Sequence, residues 1–437
     1  MNSAAPGRAP SRGRLPLSHV GWNIVALYCV QGINYVLPLV VLPYLLRILG
    51  PAQYGVIVFS QSLIRYGVIL TDFGFTLSAT RAVSLARDQP DALARIFWST
   101  FAAKSVLLLL SAVVVAVAAY FTTELRADWH IVAACSLLLF GSTTFPEWYF
   151  LGLERMRVVA LIYFATGMLT LVAVFLFVKT STDELAAAVI LSSQQMVAAL
   201  ISIAVIPFLV PVRPYFPRPR DVVAAIRSSW NIFLSIAAGS LYLNTNTFLL
   251  GIISGRYAVA LYALANKLAL AMYNILVPVV RAAYPRVSLL FGESLDRAFG
   301  FTRALLRWLV PAALCIAATT FLFANEIIRL LAGRKFAAAV PVLQILSILP
   351  AILVFSSIVS QVVMVNLGLD RSLSRIYMLV GAFNLALVPA LVHKYGASGA
   401  AVSVVIAECL GPILMVLVLR KAGVLNRLIP CARVEGR

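Results

Sequence analysis

Apolar residues in this chain run in long unbroken blocks and do not alternate with polar ones. Twelve blocks stand out, at about residues 21–46, 55–77, 97–120, 130–152, 159–178, 185–209, 229–253, 258–282, 305–325, 341–366, 376–392 and 397–419. Each is long enough to cross a bilayer as a helix, and the absence of a period-two pattern argues against a barrel. The pattern predicts an all-α integral membrane protein of about twelve transmembrane helices. An even count places both termini on one side. The connecting segments are short, which leaves no room for a soluble domain.

Polar residues inside the blocks fall on single helical faces. The second block carries Gln61, Arg65, Asp72 and Thr76 at steps of four, seven and four. The third carries Thr100, Lys104 and Ser111, and the first carries Asn23, Gln31 and Asn34. The seventh carries Asn231, Ser235, Gly239, Tyr242 and Asn246; the eighth carries Lys267 and Asn274, with Arg281 at its end. A charge at a helix centre costs about 2.5–3.5 kcal/mol on insertion scales. Several such residues therefore call for a common polar space, and blocks one, two, seven and eight carry similar stripes. The expected geometry is a water-filled central cavity between two six-helix lobes.

Composition strengthens the membrane reading. Of 437 residues 62% are hydrophobic and 12% charged, so a soluble exterior cannot be built. The formal net charge of +19 would suggest nucleic acid in a soluble protein. Here it follows the positive-inside rule, and no nucleic-acid partner is expected. With the N-terminus inside, 24 Lys and Arg fall in inner segments and 8 in outer ones, which predicts an N-in, C-in topology. Arg65, Lys104 and Lys267 are the three cations left within the blocks. The five cysteines and three histidines are scattered without ligand spacing, so no metal or other cofactor is expected.

The first twenty residues are basic and rich in Pro and Gly, yet the apolar block behind them is full-length and lacks a clear cleavage site, so it reads as a retained helix behind a cytoplasmic tail. The Pro-rich basic run "PVRPYFPRPR" (211–220) lies at the midpoint. The predicted organisation is a tail (1–20), an N-terminal lobe (21–210), a linker (211–228), a C-terminal lobe (229–420) and a second tail (421–437). A weak internal echo supports related halves: "YLLRILGPAQYGVIVFSQSL" (44–63) and "TFLLGIISGRYAVALYALANKL" (247–268) share hydropathy, a small-residue turn and a following Tyr.

The candidate substrate-binding residues are Arg65, Lys104 and Lys267, with Asn34, Gln61, Asn231, Tyr242, Asn246 and Asn274 as hydrogen-bonding partners. Asp72, Glu147 and Glu408 are the acids within blocks and the candidates for ion coupling. Glu147 follows Pro146, and Glu408 precedes Gly411-Pro412. Prolines 278, 311, 350, 389 and 412 permit bending. No Walker motif, Cys/His cluster or nucleophile motif is present. A membrane polymerase or glycosyltransferase would be expected to need a large external loop or clustered loop acids, and neither is there.

The runs "QGINYVLPLVVLPYLLRILGPAQYG" (31–55), "YGVILTDFGFTLSATRAVS" (66–84), "LYLNTNTFLLG" (241–251), "YALANKL" (262–268) and "AAYPRVS" (282–288) resemble bacterial oligosaccharide flippases. These are the Wzx-type polysaccharide transporters of the multidrug/oligosaccharidyl-lipid/polysaccharide exporter superfamily. The resemblance covers about residues 20–420. It implies twelve helices in two lobes, alternating access, the bacterial inner membrane, and a polyprenyl-pyrophosphate-linked glycan moved to the periplasmic leaflet. A polysaccharide polymerase and chain-length machinery are the partners it implies. Similar sequences often carry an acid where Asn266 precedes Lys267 here, and Arg65 is not part of the family pattern. An anionic glycan carrier suits a cavity rich in cations. A multidrug antiporter of the same superfamily would favour acids, whereas a peptidoglycan-precursor flippase shares the same charge logic.

Overall fold

The computed structural model describes residues 17–209 and 212–425, with side chains from Val40 onward except at 235 and 238–244. Among these residues the chain is helical with no strand. The first half contains α1 (Leu17–Asp72), α2 (Phe75–Leu85), α3 (Pro90–Phe121), the short α4 (Thr123–Ala127), α5 (Trp129–Cys135), α6 (Leu137–Thr144), α7 (Glu147–Gly152), α8 (Met156–Phe177) and α9 (Glu184–Leu209). The second half contains α10 (Pro219–Glu293), α11 (Leu295–Leu322), α12 (Ala324–Ala332), α13 (Val340–Leu346), α14 (Leu349–Ser357) and α15 (Asp370–Lys421). A 3₁₀ turn precedes α13 and a π-helix, Ile358–Met364, follows α14.

Nine stretches of the described residues are long and apolar enough to cross a membrane. Three of them, of 46, 49 and 52 residues, are far too long for one crossing. At 1.5 Å per residue they would extend about 70–80 Å, more than twice the roughly 30 Å hydrocarbon core. Each contains a glycine with non-helical backbone: Gly50 (φ 78, ψ 177), Gly255 (φ 75, ψ 176) and Gly396 (φ 54, ψ −129). The first two share one conformation, in a region essentially reserved for glycine. They occupy the small-residue turns of the two echoing sequences, so the echo extends to the backbone.

Contacts define the two ends of the bundle. At the glycine end, Arg256 pairs with Asp128 at 2.9 Å, the Arg256 N–H donates to Glu124 at 3.3 Å, and Arg47 donates to the Leu330 carbonyl. At the opposite, linker end, Arg213 pairs with Asp91 and Arg95 with Asp221, both at 2.7 Å, and the Trp98 indole donates to the Arg213 carbonyl at 3.1 Å. The linker is shorter than hydropathy suggested. Helix α10 begins at Pro219, whose missing N–H suits a first helical position, and Asp221 caps the turn by accepting from the Arg218 N–H. Hydropathy marks the apolar part of a helix, not its polar entry.

The core is arranged unevenly between these ends. At the glycine end one apolar cluster joins both halves, from Leu45, Leu49 and Phe59 to Val259, Leu264, Phe336 and Val404. Towards the linker end it separates. One cluster, around Phe73, Phe97, Trp148 and Tyr149, belongs to the first half and includes the opening turns of α10 through Ile226 and Phe233. Two others, around Val287 and Val354 and around Phe299 and Met415, belong to the second half. The halves thus share one apolar core at the glycine end, and at the other end they have separate clusters, with the opening turns of α10 packed into that of the first half.

Candidate functional site

A cavity of about 380 Å³ lies where the shared core begins to divide. α1 contributes Val58, Gln61, Ser62 and Arg65 to it. α10 contributes Asn246 and Thr247 before Gly255, and Tyr262, Ala263, Asn266, Lys267 and Leu270 after it. α14 supplies Leu349 and Leu353, and α15 supplies Val404 and Glu408.

The lining follows an internal register. Counted from Gly50, the α1 contributors stand 8, 11, 12 and 15 residues on; counted from Gly255, Ala263, Asn266, Lys267 and Leu270 stand at the same four offsets. Steps of three, one and three fall on one helical face. Each half therefore presents the same face to the cavity. The amides Gln61 and Asn266 correspond, but the cations do not: Lys267 matches Ser62, and Arg65 matches Leu270. Arg65 lies three residues, about 4.5 Å, further from the glycine end than the level of Lys267.

Lys267 Nζ donates to Tyr54 Oη at 2.8 Å, a contact between the halves. Both Lys267 and Arg65 are exposed, and Arg65 forms no hydrogen bond or ion pair among the described residues. Beside them is a polar group from the second half. The Asn384 amide donates to Asn246 Oδ1 at 2.7 Å, and the buried Tyr262 hydroxyl hydrogen-bonds Asn246 near Glu408. On the first-half side, the Tyr66 hydroxyl donates to Thr245 at 2.9 Å.

Lys104 is elsewhere. It is 3% exposed and sits inside the first half, where Nζ donates to the Ser142 carbonyl at 3.1 Å and lies 3.7 Å from Asp72 Oδ1. Thr76 donates to the same Asp72 oxygen at 2.8 Å. Glu147, close enough to act electrostatically on Lys104, accepts from Tyr163 at 3.2 Å, and Gln195 donates to Tyr163 at 3.2 Å. Side chains from α1, α2, α3, α7, α8 and α9 thus close around one ammonium.

Of the residues expected from sequence, the structure brings Gln61, Arg65, Asn246, Lys267 and Glu408 together. It does not bring Lys104 to them. A helical wheel gives the azimuth of Lys104 on α3, but not the neighbour that azimuth meets. Asp72 and Glu147 join Lys104 instead. Asn274 is half-buried and falls outside the cavity lining, and the exposed Asn231 lines a separate pocket with Arg227 and Trp230. The Asn34 and Tyr242 side chains lie outside the described residues. Sequence reasoning missed Tyr54, Tyr262 and Asn384. A lone amide in the apolar run "VGAFNLALVPALV" was the available signal for Asn384.

Comparison with known proteins gives these features a setting. Residues 20–291 match the family model described as polysaccharide biosynthesis protein. The "Putative O-antigen transporter" of Escherichia coli (strain K12) is 28% identical over 94% of this chain and 98% of its own. The protein of that name from Shigella dysenteriae is 29% identical over 92% and 99%. Among solved structures, the lipid II flippase MurJ in an inward closed conformation superposes with a TM-score of 0.72 at 11% identity, covering 93% of this chain and 90% of that one. An inward-facing multidrug resistance MATE family transporter of the MOP superfamily gives 0.65 at 14% identity, covering 91% and 99%. The shared fold is therefore that of multi-pass transporters, and the chain belongs to the polysaccharide biosynthesis protein family.

Proposed function

We propose that this protein is a flippase that moves a polyprenyl-diphosphate-linked oligosaccharide across the bacterial inner membrane by alternating access. The observation that carries the reading is the cavity, where two exposed cations, Arg65 and Lys267, stand among amides and hydroxyls at the junction of the halves. A diphosphate is anionic and compact, and a guanidinium and an ammonium at different depths suit its two phosphates. Gln61, Asn266, Asn246 and Tyr262 suit sugar hydroxyls. Such a cavity favours anionic cargo over the cationic cargo of a multidrug antiporter.

On this reading the glycine breaks divide the three longest helices, and the bundle has twelve spans in two six-helix lobes. The Lys and Arg bias makes the linker end cytoplasmic. The glycine end, with its shared core, is then closed to the periplasm, and the linker end, where the apolar clusters are distinct, is the loading side. Asp72, Glu147 and Lys104 form a coupling element within the first lobe, while Glu408 faces the cargo.

The test is transfer of lipid-linked glycan to the outer leaflet in proteoliposomes, normalised to folded protein. Neutralising Arg65 and Lys267 together is expected to lower transfer at least tenfold, with Lys267→Arg retaining more than Lys267→Gln. Arg65→Lys is expected to lose more than its retained charge suggests, because the planar fork is lost. Transfer at the parental rate by the folded double variant would refute the reading.

A further inference from the structure

The face that α10 turns to the cavity continues beyond it. Lys267, Asn274 and Arg281 follow one another at seven-residue steps, so Arg281 lies about 20 Å nearer the linker end. There it borders a second pocket of about 250 Å³ with Tyr284, Gln361 and Val365. The two pockets share their walls. α10 lines both, and the stretch from α14 to Val365, just past the π-helix, lines each as well, first with Leu349 and Leu353, then with Gln361 and Val365.

The π-helix decides what this pocket presents. Six of the seven residues of Ile358–Met364 are at most 1% exposed; Gln361 alone is exposed. A π-turn accommodates one extra residue and frequently marks a functional site. Here it keeps an apolar stretch buried while offering one amide to the pocket. The side chains of Arg281, Tyr284 and Gln361 form no hydrogen bond or ion pair among the described residues. Pro278 and Pro285 flank this part of α10, and Pro285 cannot donate to the Arg281 carbonyl.

We propose that Arg281, Tyr284 and Gln361 form a separate entry subsite for the diphosphate head of the lipid-linked cargo, occupied before the head passes to Lys267 and Arg65. The inference rests on the flippase reading above, including the assignment of the linker end as the loading side. A diphosphate cannot span 20 Å, so the two subsites act in succession. A guanidinium, a phenol and an amide without internal partners provide one charge-assisted donor and two neutral donors for phosphate oxygens. A charge at the mouth of a path acts mainly on encounter, and its effect is screened by salt.

The experiment follows binding of polyprenyl diphosphate, without sugar, to the full-length protein in nanodiscs by stopped flow at low and high salt. Arg281→Gln is expected to slow association about three- to tenfold at low salt, flatten its salt dependence and leave dissociation near parental. Arg281→Lys should restore part of the rate, and Gln361→Leu should produce a smaller slowing. Neutralising Arg65 and Lys267 should instead speed dissociation. If association by Arg281→Gln stays parental while the cavity variant loses affinity, the entry subsite is refuted and the flippase reading stands. If the parent does not bind the diphosphate lipid, both fall. Competition by phosphatidylglycerol as strong as by polyprenyl diphosphate would make the pocket an ordinary lipid contact and also overturn the proposal.

Discussion

Lys104 and Lys267 look alike in sequence. Each interrupts an apolar block, and each lies on a polar stripe. In the structure they occupy opposite environments. Lys104 is enclosed by the first half and held beside Asp72, Glu147 and a backbone carbonyl. Lys267 is open to the cavity and has one neutral partner, Tyr54. The buried ammonium completes a network whose members need one another, whereas the exposed one has charge to offer a ligand. A deep cation is therefore evidence of cost, and its counter-charges decide whether that cost serves structure or binding.

The largest effect should come from breaking the buried network. Lys104→Met leaves two carboxylates inside the first half without their cation, and removing one member of such a group typically costs about 3–5 kcal/mol. The folded yield and unfolding temperature of this variant should drop sharply, while Lys267→Met, at an exposed site, should stay close to parental in both. Equal losses in the two variants would show that burial does not separate the two lysines.

A compensated variant sharpens the contrast. Lys104→Met combined with Asp72→Asn and Glu147→Gln removes all three charges, so most of the stability should return. Its transport then separates structure from coupling. If the network couples an ion gradient to movement, this variant should equilibrate cargo down its own gradient yet gain nothing from an imposed proton or sodium gradient. Full gradient-driven transport would remove Asp72 and Glu147 from any coupling role. Asp72 stands where the chain leaves α1 through Phe73 (φ 45) and Gly74 (φ 79). Phe73 stacks on Phe233 of α10 with ring centroids 4.2 Å apart, and Ser78 meets Ser229 at 2.6 Å.

How much of this was legible follows from the physics of each signal. Hydropathy located the helices well: α8 covers Met156–Phe177 against an expected 159–178, and α9 covers Glu184–Leu209 against 185–209. Apolar length is a local property, and the bilayer fixes it. The glycine turns were visible as an echo, because that backbone conformation demands glycine. Among the cavity residues, Gln61 and Arg65 of α1 and Asn246 and Lys267 of α10 were legible on stripes, since periodicity gives the face of a helix, whereas Tyr262 was not. Lys104 was misplaced because no stripe states which other helix it meets. The entry pocket was half-visible: Arg281 stood on the α10 stripe, but Gln361 gave no periodic sign, because a π-turn breaks the very period that would have revealed it.

The repeated glycine turn gives an effect of middle size. Gly50→Ala and Gly255→Ala each force a side chain into backbone that only glycine occupies readily, at a cost of about 1–3 kcal/mol. Surroundings should separate the two. A Cβ at Gly255 would stand 3.1 Å from Glu124 Oε1, whereas at Gly50 the nearest neighbour is the flexible Lys335 at 3.8 Å. Thermal unfolding should therefore rank Gly255→Ala below Gly50→Ala, with both below parental. The reverse order would show that the Glu124 contact does not set the difference between the two turns.

The smallest effect concerns a third kind of pair, compensated but at the surface. Asp221 accepts from Arg95 at 2.7 and 3.1 Å, from the Tyr215 hydroxyl at 2.7 Å and from the Arg218 N–H at 3.2 Å. The Tyr215 hydrogen bond, and then Arg95, hold its carboxyl below the ordinary aspartate range. A depressed carboxyl stabilises the fold above the ordinary value of about 3.9 and loses that contribution as pH falls through the lowered one. Linker protection measured by hydrogen exchange, corrected for intrinsic rates, should be flat from neutral pH to about pH 4 and should decline only below it. At neutral pH, Asp221→Asn should speed amide exchange in the linker (212–218) a few-fold while global unfolding hardly moves, because solvent screens exposed pairs. If the linker loosened near neutral pH in the parent, or if Asp221→Asn destabilised the bundle as much as Lys104→Met, burial would not be the variable that sets the worth of these ion pairs.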